Sequence, residues 1–130
     1  MILVDTSVWI DFFQGHPSKE ALILEELIDK EEDICLCGLN VMEILQGIKQ
    51  KKDFQKTERY LKDFPIVIPD TEEYVNAALI FNKCQLNGYT VKSADCLIAA
   101  TAIENDLILL HKDKEFEYIR KATFLQTLSI

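Results

Sequence analysis

Apolar and polar positions fall into blocks along the chain, and each block has either the length of a strand or the period of a helix. Met1 to Val4 is a short apolar run ended by Asp5, and Thr6 or Ser7 can cap a helix over Val8 to Phe13. Ser18 to Asp29 carries Ala21, Leu22, Leu24, Leu27 and Ile28 at helical spacing, and Ile34 to Cys37 suits a second strand. Gly38 or Asn40 opens the next helix, which runs through Leu45 and Ile48, and Asp53 to Lys62 continues as another with Phe54 and Leu61 inward. Pro65 to Pro69 reads as a third strand whose prolines confine it to an edge or to its own short length. Thr71 starts a long helix that stops near Asn87-Gly88. Ser93 to Glu104 is a strongly apolar helix, Leu107 to Leu110 a strand, and Phe124 to Gln126 a weak last strand. Strands separated by helices predict an α/β fold with a mainly parallel sheet covered on both faces. No linker or repeat interrupts this alternation, so residues 1–130 read as one domain.

In sheets of this kind the ligand crevice lies at the carboxyl ends of the strands, so acidic residues just beyond them are candidates. Asp5 directly follows the first strand, and Asp113 follows Leu107 to Leu110 by a short step. Asp95 opens the apolar helix on the face it shares with Ile98, Ala99 and Ala102, which draws its carboxylate toward the core. Glu43 lies on the side of its helix away from Val41, Leu45 and Ile48, and Gly47 one turn later strips bulk from that surface. Each residue alone also fits capping, turn or solvated-face chemistry. Together they offer the oxygen ligands that a hard divalent ion requires.

Charge sharpens this. The chain has 22 acidic against 14 basic residues, a formal net charge of −8, which opposes ordinary nucleic-acid binding unless carboxylates hold divalent cations. The basic residues are concentrated at Lys49, Lys51, Lys52, Lys56, Arg59 and Lys62, a stretch suited to a phosphate backbone or to plain solvation. Cys35, Cys37, Cys84 and Cys96 lack the paired spacing of a zinc site and read as reduced, mostly buried thiols. No apolar run approaches the ~20 residues of a membrane span, so the expectation is a soluble, cytoplasmic protein with no membrane partner. Trp9, Ile10, Phe12 and Phe13 crowd the first helix beyond the needs of one buried face, leaving apolar surface for a partner or for packing under Ala21 to Ile28.

Four segments then stand out: Val4-Asp-Thr-Ser-Val-Trp-Ile-Asp-Phe-Phe13, Asn40-Val-Met-Glu-Ile-Leu-Gln-Gly-Ile48, Ser93-Ala-Asp-Cys-Leu-Ile-Ala-Ala-Thr-Ala102 and Leu109-Leu-His-Lys-Asp-Lys-Glu-Phe116. In their order and separations the chain resembles the PIN-domain ribonucleases, and within them the VapC-type toxins of toxin–antitoxin pairs. The resemblance covers almost the whole chain. It implies a three-layer α/β/α domain with a central parallel sheet of strand order 3-2-1-4-5. It assigns Asp5, Glu43, Asp95 and Asp113 to a catalytic, metal-binding pocket for Mg²⁺ or Mn²⁺, with Asp5 and Asp95 on the principal ion. The implied activity is endoribonuclease cleavage of RNA phosphodiester bonds with metal-activated water, in a type II toxin–antitoxin system. The implied partners are RNA, a cognate antitoxin whose tail covers a groove near the site, and a second copy in a homodimer. His111 stands where these toxins commonly have Thr, and Glu115 is left outside the core site.

Other chemistries are weaker fits. A haloacid-dehalogenase-like phosphatase would need a second Asp two residues after Asp5, where Ser7 stands. A phospho-receiver domain would use Asp70 after the third strand and leave Glu43 and Asp95 unexplained. A non-catalytic PIN-like scaffold would be expected to lose carboxylates, and all four positions are filled.

Overall fold

A computed structural model describes residues 1–128. Five strands, β1 (Ile2–Val4), β2 (Ile34–Cys37), β3 (Ile66–Val67), β4 (Ile108–Leu110) and β5 (Gln126–Thr127), form one sheet of order β3-β2-β1-β4-β5. Every pairing is parallel, with Ile2 opposite both Ile34 and Ile108. This is the expected topology. It also sets β3 at an edge, remote from the β1–β4 pair, so Asp70 caps a helix there and is no central phosphoacceptor.

Among the described residues seven helices cover the two faces: α1 (Thr6–Gln14), α2 (Lys19–Asp29), α3 (Gly38–Gln46), α4 (Lys51–Leu61), α5 (Thr71–Leu86), α6 (Ser93–Glu104) and α7 (Lys114–Ala122). Because side chains alternate along a strand, the sheet feeds two cores. Val4, Ile34, Leu36 and Leu110 join Val8, Trp9, Leu24, Ile44 and Leu61 on the α1–α4 side. Leu3, Cys35, Cys37 and Leu109 join α5, α6 and the Phe116, Ile119 and Ala122 face of α7 on the other. Helix α6 is buried from Asp95 through Ala102, as its apolar composition required.

Several element boundaries differ from those the sequence pattern predicts. Helix α1 begins two residues before Val8 because Asp5 itself is the cap, in place of Thr6 or Ser7. Helix α4 likewise starts at Lys51, ahead of Asp53. Helix α7 was not anticipated, and β5 starts at Gln126, leaving Phe124 exposed ahead of it. The four cysteines are free and buried as expected, and burial pushes Cys35 up to about 11 and Cys96 to about 12, so neither is a thiolate at neutral pH. Among the described residues no helix is long and apolar enough to cross a membrane.

Candidate metal centre

The register of the sheet builds the site. Val4 lies opposite Leu110, so β1 and β4 end side by side, and the Asp5 amide donates to the Leu110 carbonyl (2.9 Å). From that shared rim the chain enters α1 at Asp5 and α7 at Asp113. Both aspartates are helix N-caps: Asp5 Oδ2 accepts from the Ser7 amide (3.2 Å) and hydroxyl (2.7 Å), and Asp113 Oδ1 accepts from the Glu115 amide (3.1 Å). A cap is held by one oxygen, so capping leaves the second carboxylate oxygen of each residue unused.

Asp95, Asp113 and Glu115 converge, each offering a carboxylate oxygen within 4.8 Å of the others. Asp95 is 8% exposed, and its Oδ2 is buried with no hydrogen-bond partner among the described residues. Burial first, then the charges of Asp5, Glu115 and Asp113, raise Asp95 to about 7. Asp5, 5% exposed, is also raised by burial, against the lowering effect of its Ser7 hydrogen bonds. An orphaned buried carboxylate oxygen inside a ring of like charge fits a hard divalent cation and is costly without one.

Glu43 is tied to the residue that follows Asp5: Thr6 donates its Oγ1 proton to Glu43 Oε1 (2.7 Å). The four expected carboxylates thus divide. Asp95 and Asp113 lie in the tight cluster, Asp5 borders it through its charge on Asp95, and Glu43 is tied in through α1. Glu115, which the sequence reading set aside, is inside. Lys92 secures it, its amide donating to Oε1 (2.7 Å) and its ammonium lying 3.2 Å from Oε2. The available signal was its i+2 spacing from Asp113 in the first turn of an amphipathic segment.

The turn between β4 and α7 is fixed from two sides. His111 Nδ1 accepts from the Asp113 amide (3.1 Å), which makes Nε2 the protonated nitrogen, donating to Glu117 Oε2 (3.1 Å). The neighbouring Lys112 ammonium donates to the buried Asp11 of α1 and holds that carboxyl below its ordinary range. His111 therefore aligns the turn carrying Asp113.

A groove of about 1230 Å³ runs between α1 and α4, walled by Phe12, Phe13 and Tyr60 and edged by Lys49, Lys56, Arg59 and Lys62, with Asp53 and Asp63 among them. Trp9 is fully buried beneath it, stacked on Phe13 at 5.7 Å and edge-on to Phe64 at 5.3 Å. The crowded first helix is largely accounted for by packing: Trp9 is core, and Phe12 and Phe13 lie partly covered against the same cluster.

A family model described as PIN domain matches residues 2–122. Ribonuclease VapC11 of Mycobacterium tuberculosis is 35% identical over 132 residues, covering 99% of this chain and 98% of its own length. Ribonuclease VapC1 of Methanocaldococcus jannaschii is 32% identical over 121 residues, covering 92% and 82%. Several solved structures share the fold. VapBC2 from Rickettsia felis, bound to a DNA fragment from its promoter, gives a TM-score of 0.79 at 22% identity over 98% of each chain. FitAcB from Neisseria gonorrhoeae gives 0.78 at 23% identity over 99% of this chain and 97% of that one.

Proposed function

The chain belongs to the PIN-domain family as a VapC-type ribonuclease toxin of a type II toxin–antitoxin system, and from that premise we propose that Asp5, Glu43, Asp95, Asp113 and Glu115 form its catalytic centre for Mg²⁺ or Mn²⁺. The observation that carries this assignment is the convergence of Asp95, Asp113 and Glu115 around the unpartnered Asp95 Oδ2. A bound divalent ion supplies neutralisation of phosphate oxygens and activation of the attacking water. The chain's own groups do the rest. Asp95, Asp113 and Glu115 hold the cation, and Asp5 adds negative charge from the adjoining strand end. Ser7 keeps the Asp5 carboxylate turned in one direction, Lys92 does the same for Glu115, and His111 fixes the turn that carries Asp113. Ser7 occupies the place where a phosphatase of the haloacid dehalogenase type would need its acid/base Asp, and its hydroxyl is engaged by Asp5.

The purified chain should cleave single-stranded RNA only when Mg²⁺ or Mn²⁺ is titrated in, and lose that activity in EDTA. Equal cleavage in EDTA would remove the metal from the reading. RNA is the substrate class, and we place the protein in the cytoplasm, where four buried free thiols stay reduced.

We assign the α1–α4 groove to the cognate antitoxin. Its aromatic wall and mainly basic edge suit an amphipathic, acidic segment. Solved neighbours of the fold include a toxin–antitoxin complex from Klebsiella pneumoniae. Light scattering on the toxin with the antitoxin encoded beside it should show a complex that Lys56→Glu with Arg59→Glu weakens at least tenfold; an unchanged complex would move the antitoxin elsewhere. The same measurement on the toxin alone should return twice the 15.0 kDa chain mass if it is a homodimer.

A further inference from the structure

Asn40 is fully buried on the first turn of α3, one turn before Glu43, and has no place yet in the chemistry. Both ends of its amide are engaged. The Cys37 backbone N–H donates to Asn40 Oδ1 (2.8 Å), and because that N–H can only donate, the amide oxygen must face it. The Nδ2 end therefore points at Thr6 and donates to its Oγ1 (3.0 Å). A hydroxyl that accepts there turns its single proton the other way, to Glu43 Oε1 (2.7 Å). The three bonds run in one direction, from the end of β2 through α3 and α1 and back to α3.

We infer that Asn40 is a positioning residue for Glu43, acting through the Thr6 hydroxyl to fix Oε1 and leave the second carboxylate oxygen for the cation. This rests on the reading of Glu43 as part of the metal centre. Asn is the residue the arrangement demands, because it accepts at one end and donates at the other. Asp at the same position has the same shape but accepts at both ends. The Thr6 proton would then be drawn away from Glu43 toward residue 40. Polar partners one step behind a ligand set its orientation, and their loss costs about 10–100-fold in metal affinity.

The test uses Mn²⁺ alone as probe, followed by the paramagnetic signal of the free ion, beside RNA cleavage and thermal unfolding. Asn40→Asp and Thr6→Val should each weaken Mn²⁺ binding about tenfold, and Thr6→Ser, which keeps the hydroxyl, should restore it. In the Thr6→Val background, Asn40→Asp should cost nothing further, because its route to Glu43 is already cut. Asn40→Ala introduces no buried charge and should show the same loss and the same lack of additivity if Asn40→Asp fails to fold. Losses that multiply in the double variants, or Asn40 variants that only lower the melting temperature, would overturn the inference. Glu43→Gln separates it from its premise. If that variant binds Mn²⁺ and cleaves like the native chain, Glu43 leaves the centre; if it loses both while Asn40 variants bind normally, only the role of Asn40 falls.

Discussion

Asp95→Asn should give a protein that no longer cleaves RNA yet, free of divalent ions at pH 8, melts above the native chain. Its carboxylate is held at about 7 when folded against an ordinary 3.8, chiefly by burial and then by Asp5, Glu115 and Asp113. A group raised in this way contributes stability that is fully present below about pH 4 and is lost as pH rises through about 7. The metal-free native chain should therefore lose melting temperature between those limits, and Asp95→Asn should lose less. At pH 8 the difference is expected to be about 3–6 °C, corresponding to ~1–2 kcal/mol in a domain of this size. Added Mg²⁺ reverses the order. It restores the native chain, with a proton released from Asp95 below about pH 7, and does nothing for the variant. Cleavage should fall on the order of a thousandfold, ~4 kcal/mol of transition-state stabilisation. Calorimetry with and without Mg²⁺, beside an RNA cleavage assay, reads all of this. A variant that melts below the native chain at pH 8 without metal would mean that Asp95 serves the α6 terminus rather than a cation.

That balance between stability and function explains which parts of the molecule were readable in its sequence. The strand ends were readable because Ile2 to Val4 and Leu107 to Leu110 are apolar runs stopped by polar residues, and a parallel sheet then forces Asp5 and Asp113 onto one rim. Asp95 was readable because a carboxylate on the face shared with Ile98, Ala99 and Ala102 has nowhere to go but inward. Helix α7 escaped because its nine residues carry only Phe116, Ile119 and Ala122 toward the core, among six mostly charged or polar neighbours. Glu115 is named in the sequence reading and left outside the core site, and it is the first turn of α7 that brings its carboxylate within 4.8 Å of those of Asp95 and Asp113. The clamps are long-range and leave no local signal. Lys92 meets Glu115 across 23 residues, and Asn40 meets Thr6 across 34. Nothing in the spacing of either pair announces the contact. The β5 boundary slipped for a different reason: Phe124 looks like the start of an apolar strand, but it is 93% exposed and pairs with nothing in the sheet.

Asp5→Asn and Asp5→Ala should differ in stability and agree in activity. Asp5 has two duties, capping α1 through Oδ2 and placing a charge beside Asp95. Asparagine caps a helix about as well as aspartate, so Asp5→Asn should unfold within ~0.5 kcal/mol of the native chain or slightly above it. Alanine caps poorly, and Asp5→Ala should lose ~1 kcal/mol in addition. Neither supplies the negative charge, and both should cut RNA cleavage on the order of a thousandfold. The charge has a second readout. Asp5 is the strongest of the charges that raise Asp95, so removing it should bring the Asp95 titration down from about 7 toward the ordinary carboxylate range, which carboxyl NMR of the metal-free protein can follow. A variant with that lowered titration but undiminished cleavage would keep Asp5 as a neighbour of the centre and strip it of any part in the reaction. If cleavage falls while Asp95 titrates as before, Asp5 acts on the cation without acting on Asp95. The expected pairing, both changes together in Asp5→Asn and the stability loss confined to Asp5→Ala, requires one carboxylate to cap a helix with one oxygen and serve the metal centre with its charge.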